Sequence, residues 1–296
     1  MPMTGATQMF FGFPARIAKL ASQGQRPGAV LFIPLHDANT LKYIKLQWVT
    51  LTLIVANVAV WLFTGVVASE TVSQATFVGL GYIPAVAFHH ATLEPALVLV
   101  PEPLTYVTYA FVHSSFWHLA SNMLFLWVFG DNVEDAMGHV RFLLFYVLCA
   151  VSGALFHGFI GETSESPLIG ASGAISGVIA AYVILHPRVR VWVLVFMRVP
   201  IPLPAFVPLV IWIGQQFVML AIEPDGNVSW GAHVGGIVAG ALLVVVMRRR
   251  GVPLFDRQVV MPRAVHDRQK PNPTMIFVPG QPPRPRLPWD KPPTEY

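Results

Sequence analysis

The chain of 296 residues is 54% hydrophobic and only 11% charged. Its mean hydropathy is +0.59, whereas a soluble domain carries about a quarter charged residues, so the composition excludes an ordinary soluble enzyme and reads as a polytopic membrane protein. The formal charge of +4 does not mark a nucleic-acid partner, because the Lys and Arg residues fall between and beyond apolar segments rather than on a basic, aromatic-studded surface.

Residues 1–47 contain Arg16, Lys19, Arg26, Lys42 and Lys45, with a Phe10-Phe11-Gly12-Phe13 patch able to rest on a bilayer without crossing it. No charged n-region opens the chain, so the first span is expected to serve as the insertion signal. That span is Trp48 to Ala68, with Asn57 its only strongly polar member and roughly the twenty apolar residues that a crossing needs. Residues 69–116 follow with Glu70, Glu94 and Glu102 but no Lys or Arg, which places this connection away from the cytoplasm. It is too apolar for a solvated linker and is expected to lie partly in the interface. The second span is read as Phe116 to Asp131 and the third as Phe142 to Ile160. Cys149, the only cysteine, sits inside the third, so an intrachain disulfide is excluded and compartment cannot be read from redox chemistry.

The fourth span opens at Ser172 in Gly170-Ala171-Ser172-Gly173, directly after the turn-prone Gly161 to Pro167, and closes before His186-Pro187. At about fifteen residues it would be about 22 Å long, short of a hydrocarbon core of about 30 Å, so its N-terminus should lie below the outer surface. Arg188, Arg190 and Arg198 then mark a cytoplasmic loop, and a Pro-rich entry (Pro200, Pro202, Pro204, Pro208) leads into a fifth span ending near Ile222. Asn227 to Met247 is the sixth, stopped by Arg248-Arg249-Arg250. Alternation puts both termini in the cytoplasm and turns Ser172 towards the outside. Residues 251–296 hold eleven prolines and scattered charge, a composition that cannot bury a core and is expected to be disordered. Within it, Pro282 to Pro288 resembles a polyproline-II ligand, and we assign it no function.

Polar groups inside spans are expensive and are functional candidates by default. Ser172 at a helix N-terminus would have unpartnered backbone N–H groups aimed at any oxyanion formed beside it. Taken alone, Gly173 with Gly177 and Ser172 with Ser176 read better as a small-residue packing face. His233 stands on one helical face with Gly236 and Gly240, a smooth face that lets a second helix approach the imidazole. A neutral imidazole there can take a serine proton and return it to a leaving amine. His118 and Asn122, four apart at the outer end of the second span, can donate hydrogen bonds to an oxyanion, and both also read as interhelical glue. His118 could equally be the base. His113, His157, Gln215, Gln216 and Trp230 are explained as well by structural hydrogen bonding as by a watery cavity. The carboxylates Asp131, Glu134 and Asp135 fall at the opposite end, so a Ser–His pair without the acid of the triad template is expected.

Three motifs, GASG opening a short fourth helix, AHxxGxxxG around His233 and HxxxN from His118 to Asn122, resemble the rhomboid family of intramembrane serine proteases over roughly residues 33–250. The segment Ile33-Pro-Leu-His-Asp-Ala-Asn39 is similar to many bacterial members. The resemblance implies an all-α bundle of six spans over 48–250 in a bacterial inner membrane. Ser172 would be the nucleophile, His233 the base and acid, and His118, Asn122 and the Ser172 backbone N–H the oxyanion holders. It further implies a first loop acting as a partly embedded flap and a fifth helix acting as lateral gate, with transmembrane proteins as substrates and no cofactor or metal. Two departures stand out: Leu104-Thr105 where many members carry Trp-Arg, and Ser176 where some place a Tyr to stack on the histidine. Two other readings compete, a non-catalytic relative that binds transmembrane helices for quality control and a transporter. The second lacks an inverted repeat. No HExxH for zinc and no paired intramembrane aspartates are present.

Overall fold

In the computed structural model, which describes residues 32–195, 198–224, 226, 228–256, 275–276 and 284–285, seven helices longer than one turn form a bundle with a small sheet at one end. They are α1 (Trp48–Leu62, extended by a π-helical turn, Phe63–Val67), α2 (Glu70–Leu80), α3 (Phe116–Met137), α4 (His139–Ile160), α5 (Ser172–Leu185), α6 (Phe206–Ile222) and α7 (Trp230–Met247). Three stretches, Trp48–Val67, His139–Ile160 and Trp230–Met247, are long and apolar enough to cross a membrane. A fourth is possible if Pro95–Phe111 and α3, bent by 84°, form one broken span, while α5 and α6 are shorter apolar helices. The Phe10 patch and nearly all of the Pro-rich tail lie outside the described residues.

The second expected span, α3, does not stop at Asp131. It continues to Met137 because its polar end is satisfied. The Glu134 carboxylate accepts from the backbone N–H groups of Val49 (3.0 Å) and Thr50 (2.8 Å) and from the Thr50 hydroxyl (2.7 Å), which caps α1, a helix with no side-chain cap of its own. Asp135 accepts in the same way from the N–H groups of Lys42, Tyr43 and Ile44 at 2.7–2.9 Å. The third expected span, α4, likewise begins at His139 rather than Phe142. Only Gly138 separates the two, at φ 84°, a backbone region a side chain would strain.

The all-helical expectation needs correction between the fourth and fifth expected spans. Two strands occur there, β2 (Arg190–Val195) and β3 (Val199–Pro204), and with β1 (Phe32–Asp37) they make an antiparallel sheet in the order β1-β2-β3. Pro200, Pro202 and Pro204 sit opposite Leu194, Trp192 and Arg190 on an edge strand, the place where residues without an N–H can join a ladder. Two further short strands, β4 (Met275–Ile276) and β5 (Arg284–Pro285), pair within the tail expected to be disordered.

The sheet carries a buried carboxylate to the bundle. Asp37, outside the spanning helices and 4% exposed, accepts from the Tyr182 hydroxyl (2.7 Å) on α5 and the Asn132 amide (2.8 Å) on α3. Burial, reinforced by the Asp131 carboxylate, pushes the Asp37 carboxyl up to about 8. In the window from about pH 4 to about pH 8 the folded protein therefore holds a proton that the unfolded chain has released, so stability falls as pH rises through it. Thermal unfolding in detergent across this window should show that decline, and Asp37→Asn should flatten it. An unaltered slope in the variant would remove Asp37 as its source.

The bundle closes around α5. Eleven of its fourteen residues are buried, as expected of a helix that is apolar all round, whereas α6 buries only Pro208, Leu209 and Gln216 of its seventeen. Because lipid is as apolar as Leu, close approach rather than apolar burial holds spanning helices together. Here α5 and α7 meet backbone to backbone. A Cβ at Gly236 would run into the Gly173 carbonyl oxygen, and one at Gly240 would lie 2.5 Å from the Gly177 Cα.

Candidate active site

Ser172 stands at the first turn of α5, partly exposed between buried Ala171 and Gly173. The chain enters that turn through Gly170, whose φ of 114° favours glycine. A Cβ at Gly170 would also lie 2.6 Å from Cε1 and Nε2 of His118, so the imidazole rests on the backbone just before Ser172. The entry is pinned from several sides. Leu168 exchanges two backbone hydrogen bonds with Tyr82 (2.7 and 3.1 Å), the Gly170 N–H donates to the Tyr109 carbonyl (2.9 Å), and the Ala171 N–H points at His113 Nε2 (3.4 Å). Tyr109 itself donates its hydroxyl to the Ala150 carbonyl at 2.8 Å. A Cβ at Gly173 would meet that hydroxyl oxygen at 2.9 Å.

The same glycine contact faces α7: a Cβ at Gly173 would meet the Ala232 carbonyl oxygen at 3.4 Å. Gly173 follows Ser172 and Ala232 precedes His233, so the turns carrying the serine and the histidine adjoin across the α5–α7 seam. His233 is 8% exposed. Its Nδ1 lies 2.7 Å from Oε1 of Gln216 on α6, and its ring is flanked by Trp212 (centroids 6.1 Å apart, 33° between planes) and edge-on by Trp230 (5.9 Å, 87°). Ser176 does not reach the imidazole. Its hydroxyl donates to the Ser172 carbonyl at 2.6 Å, within α5.

His118 and Asn122 are one turn apart on α3. Ser115 caps that helix, its Oγ accepting from the His118 N–H at 3.2 Å. The Asn122 amide, 6% exposed, donates to the His118 carbonyl at 3.0 Å, and a second N–H remains on it. The His118 ring packs edge-on against His113, centroids 5.0 Å apart, with Nδ1 3.4 Å from the Ser114 hydroxyl. His118 and Ser172 are thus brought together through Gly170, and Ser172 and His233 through Gly173 and Ala232. Gln216 and His113 were legible only as polar groups inside or beside spans. Tyr109 gave no signal at all, because an aromatic residue in an apolar loop is unremarkable until its hydroxyl meets a glycine forty or more residues away. Among the described residues no His, Cys, Asp and Glu side chains come together as a metal-ligand set.

Similarity to known proteins gives this geometry a context. The family model for the Rhomboid domain matches residues 101–250. The chain is 31% identical over 147 residues to Rhomboid protein 1, mitochondrial, of Saccharomyces cerevisiae, covering 48% of this chain and 41% of that protein. It is 28% identical over 225 residues to Rhomboid-related protein 3 of Homo sapiens, covering 72% and 51%. With Rhomboid protease AarA of Providencia stuartii it shares 30% identity over 219 residues, covering 66% and 71%. The chain spans about half the length of the yeast and human relatives.

Proposed function

This chain belongs to the rhomboid family, and from that premise we propose that it is an intramembrane serine endopeptidase cleaving a peptide bond in or beside the transmembrane segment of a membrane-protein substrate. The observation that carries the reading is the backbone contact of α5 with α7, which sets the Ser172 turn against the His233 turn. Ser172 Oγ attacks the scissile carbonyl while His233 Nε2 takes its proton; the imidazolium then protonates the leaving amine, and water releases the acyl group by the same steps in reverse order. The developing oxyanion is held by the Ser172 N–H at the start of α5, by His118 and by the free N–H of Asn122. A bond inside a helix is shielded, so segments with small or helix-breaking residues that unwind near the outer surface are the favoured substrates.

In this reading six helices cross the bilayer: α1, α3, α4, α5, α6 and α7, with α5 short enough to start below the outer surface. They form a membrane domain over 48–250 between a cytoplasmic N-terminal segment and a Pro-rich tail. The first connection acts as a flap, and the sparsely buried α6 is the lateral gate. The arginines at 188, 190, 198 and 248–250 support an orientation with both termini inside. Relatives come from mitochondria and from bacteria, and the Ile33 to Asn39 segment supports a bacterial inner membrane.

A fluorescent fluorophosphonate applied to the detergent-solubilised protein tests the serine directly. Labelling of the wild type that disappears in Ser172→Ala and in His233→Ala is the expected result. A wild type that stays dark beside an active rhomboid labelled in parallel would overturn it and put the non-catalytic, helix-binding reading in front.

A further inference from the structure

The expected pair lacks an acid to orient its histidine, and the structure assigns that place to Gln216: we propose that Gln216 is a positioning residue that holds His233 in the tautomer with the proton on Nδ1 and the lone pair on Nε2. The inference rests on the proposed serine–histidine chemistry and adds to it the part that an acid plays elsewhere. Its geometry is closed at both ends. Gln216 Nε2 donates to the Trp212 carbonyl one turn back on α6 at 2.9 Å. That bond settles which end of the amide is which, since turning it over would put two carbonyl oxygens against each other. Oε1 therefore faces His233 Nδ1 at 2.7 Å, and an oxygen can only accept, so Nδ1 must carry the proton. A neutral imidazole with its proton on Nδ1 presents a bare Nε2, the form a general base needs. The pair is secluded as well: Gln216 is 2% and His233 8% exposed, the ring lying between Trp212 and Trp230. A neutral amide serves here where a carboxylate would be expensive in lipid.

The test uses the full chain with 15N-labelled histidine, the His233 signals being identified by their loss in His233→Phe. In the wild type near neutral pH the nitrogen spectrum should show Nδ1 protonated and Nε2 bare. Gln216→Met keeps the length of the side chain and removes the acceptor. It should give a mixture of tautomers and slow fluorophosphonate labelling of Ser172 by roughly 10²-fold, the scale on which misplaced catalytic groups act. Gln216→Glu restores an acceptor and should recover the single tautomer and most of the lost rate. Should Gln216→Met fail to fold by thermal unfolding, Gln216→Leu provides the same removal. Wild-type tautomer and rate in the acceptor-free variant would overturn the inference while leaving the protease reading intact. If instead the wild type does not label at all, the protease reading falls, and the spectra alone decide Gln216: a tautomer indifferent to its removal sinks the assignment.

Discussion

Ser172→Ala is expected to abolish cleavage of a model transmembrane substrate while the protein still folds and inserts. The Ser172 side chain caps nothing in α5, where no side-chain cap is made, and the Ser172 carbonyl that receives the Ser176 hydroxyl survives the change. What disappears is the nucleophile, and in a serine protease acting as a unit that loss is on the order of 10⁶ in kcat. His233→Ala should cost a similar factor in rate, since residues that act together fail together. It should also lower stability somewhat, because the buried Gln216 oxygen is left without its donor. Asn122→Ala should retain part of the activity: removing one oxyanion donor costs roughly 10²–10³ in kcat, and the Ser172 N–H and His118 remain. Cleavage assays on the three variants, each first shown to unfold cooperatively, read these outcomes. Full activity in Ser172→Ala would dismiss the mechanism, and an unchanged rate in Asn122→Ala would confine that residue to its hydrogen bond with the His118 carbonyl.

The second large effect concerns the fold. Glu134→Ala removes a fully buried carboxylate that accepts two backbone N–H groups and a hydroxyl from the first turn of α1 and faces His139 Nδ1 at 2.5 Å. Buried donors left without an acceptor cost about 1–3 kcal/mol each, and part of that is recovered by relaxation or water, so a loss of roughly 3 kcal/mol is expected. The negative charge also sits at the positive end of α1, which adds to the deficit. Glu134→Gln should recover only part, because its amide must turn one donor towards the N–H groups it replaces an acceptor for. Thermal or denaturant unfolding in detergent measures both variants. A melting temperature unmoved by Glu134→Ala would show that α1 needs no cap from α3.

Both predictions began as different kinds of knowledge. Glu134 appears in the sequence as a carboxylate at the end of its span opposite His118 and Asn122, and nothing local distinguishes it from a solvated charge at a helix terminus. Its partners in α1 are 84 and 85 residues away. Ser172, by contrast, stands out when GASG at the head of a short apolar segment is read together with the His118–Asn122 and His233 motifs, whereas the segment alone reads better as a packing face. Helical periodicity is a local property, so the seam of Gly173 and Gly177 against Gly236 and Gly240 could be anticipated from spacing alone.

By itself, then, the sequence determined that this protein lives in a membrane, where its apolar helices lie, and which serine and histidine stand on faces smooth enough to meet. Composition and the 3.6-residue period are written into consecutive residues, and so survive without a fold. It took the packing of distant segments to set Arg190–Val195 between Phe32–Asp37 and the Pro-rich Val199–Pro204 as one sheet, to bury Asp37 and Glu134 among distant donors, and to bring Gln216 rather than Ser176 to the imidazole. Those outcomes depend on which far-separated groups share a volume too small to leave any of them unpaired, and no spacing along the chain records that.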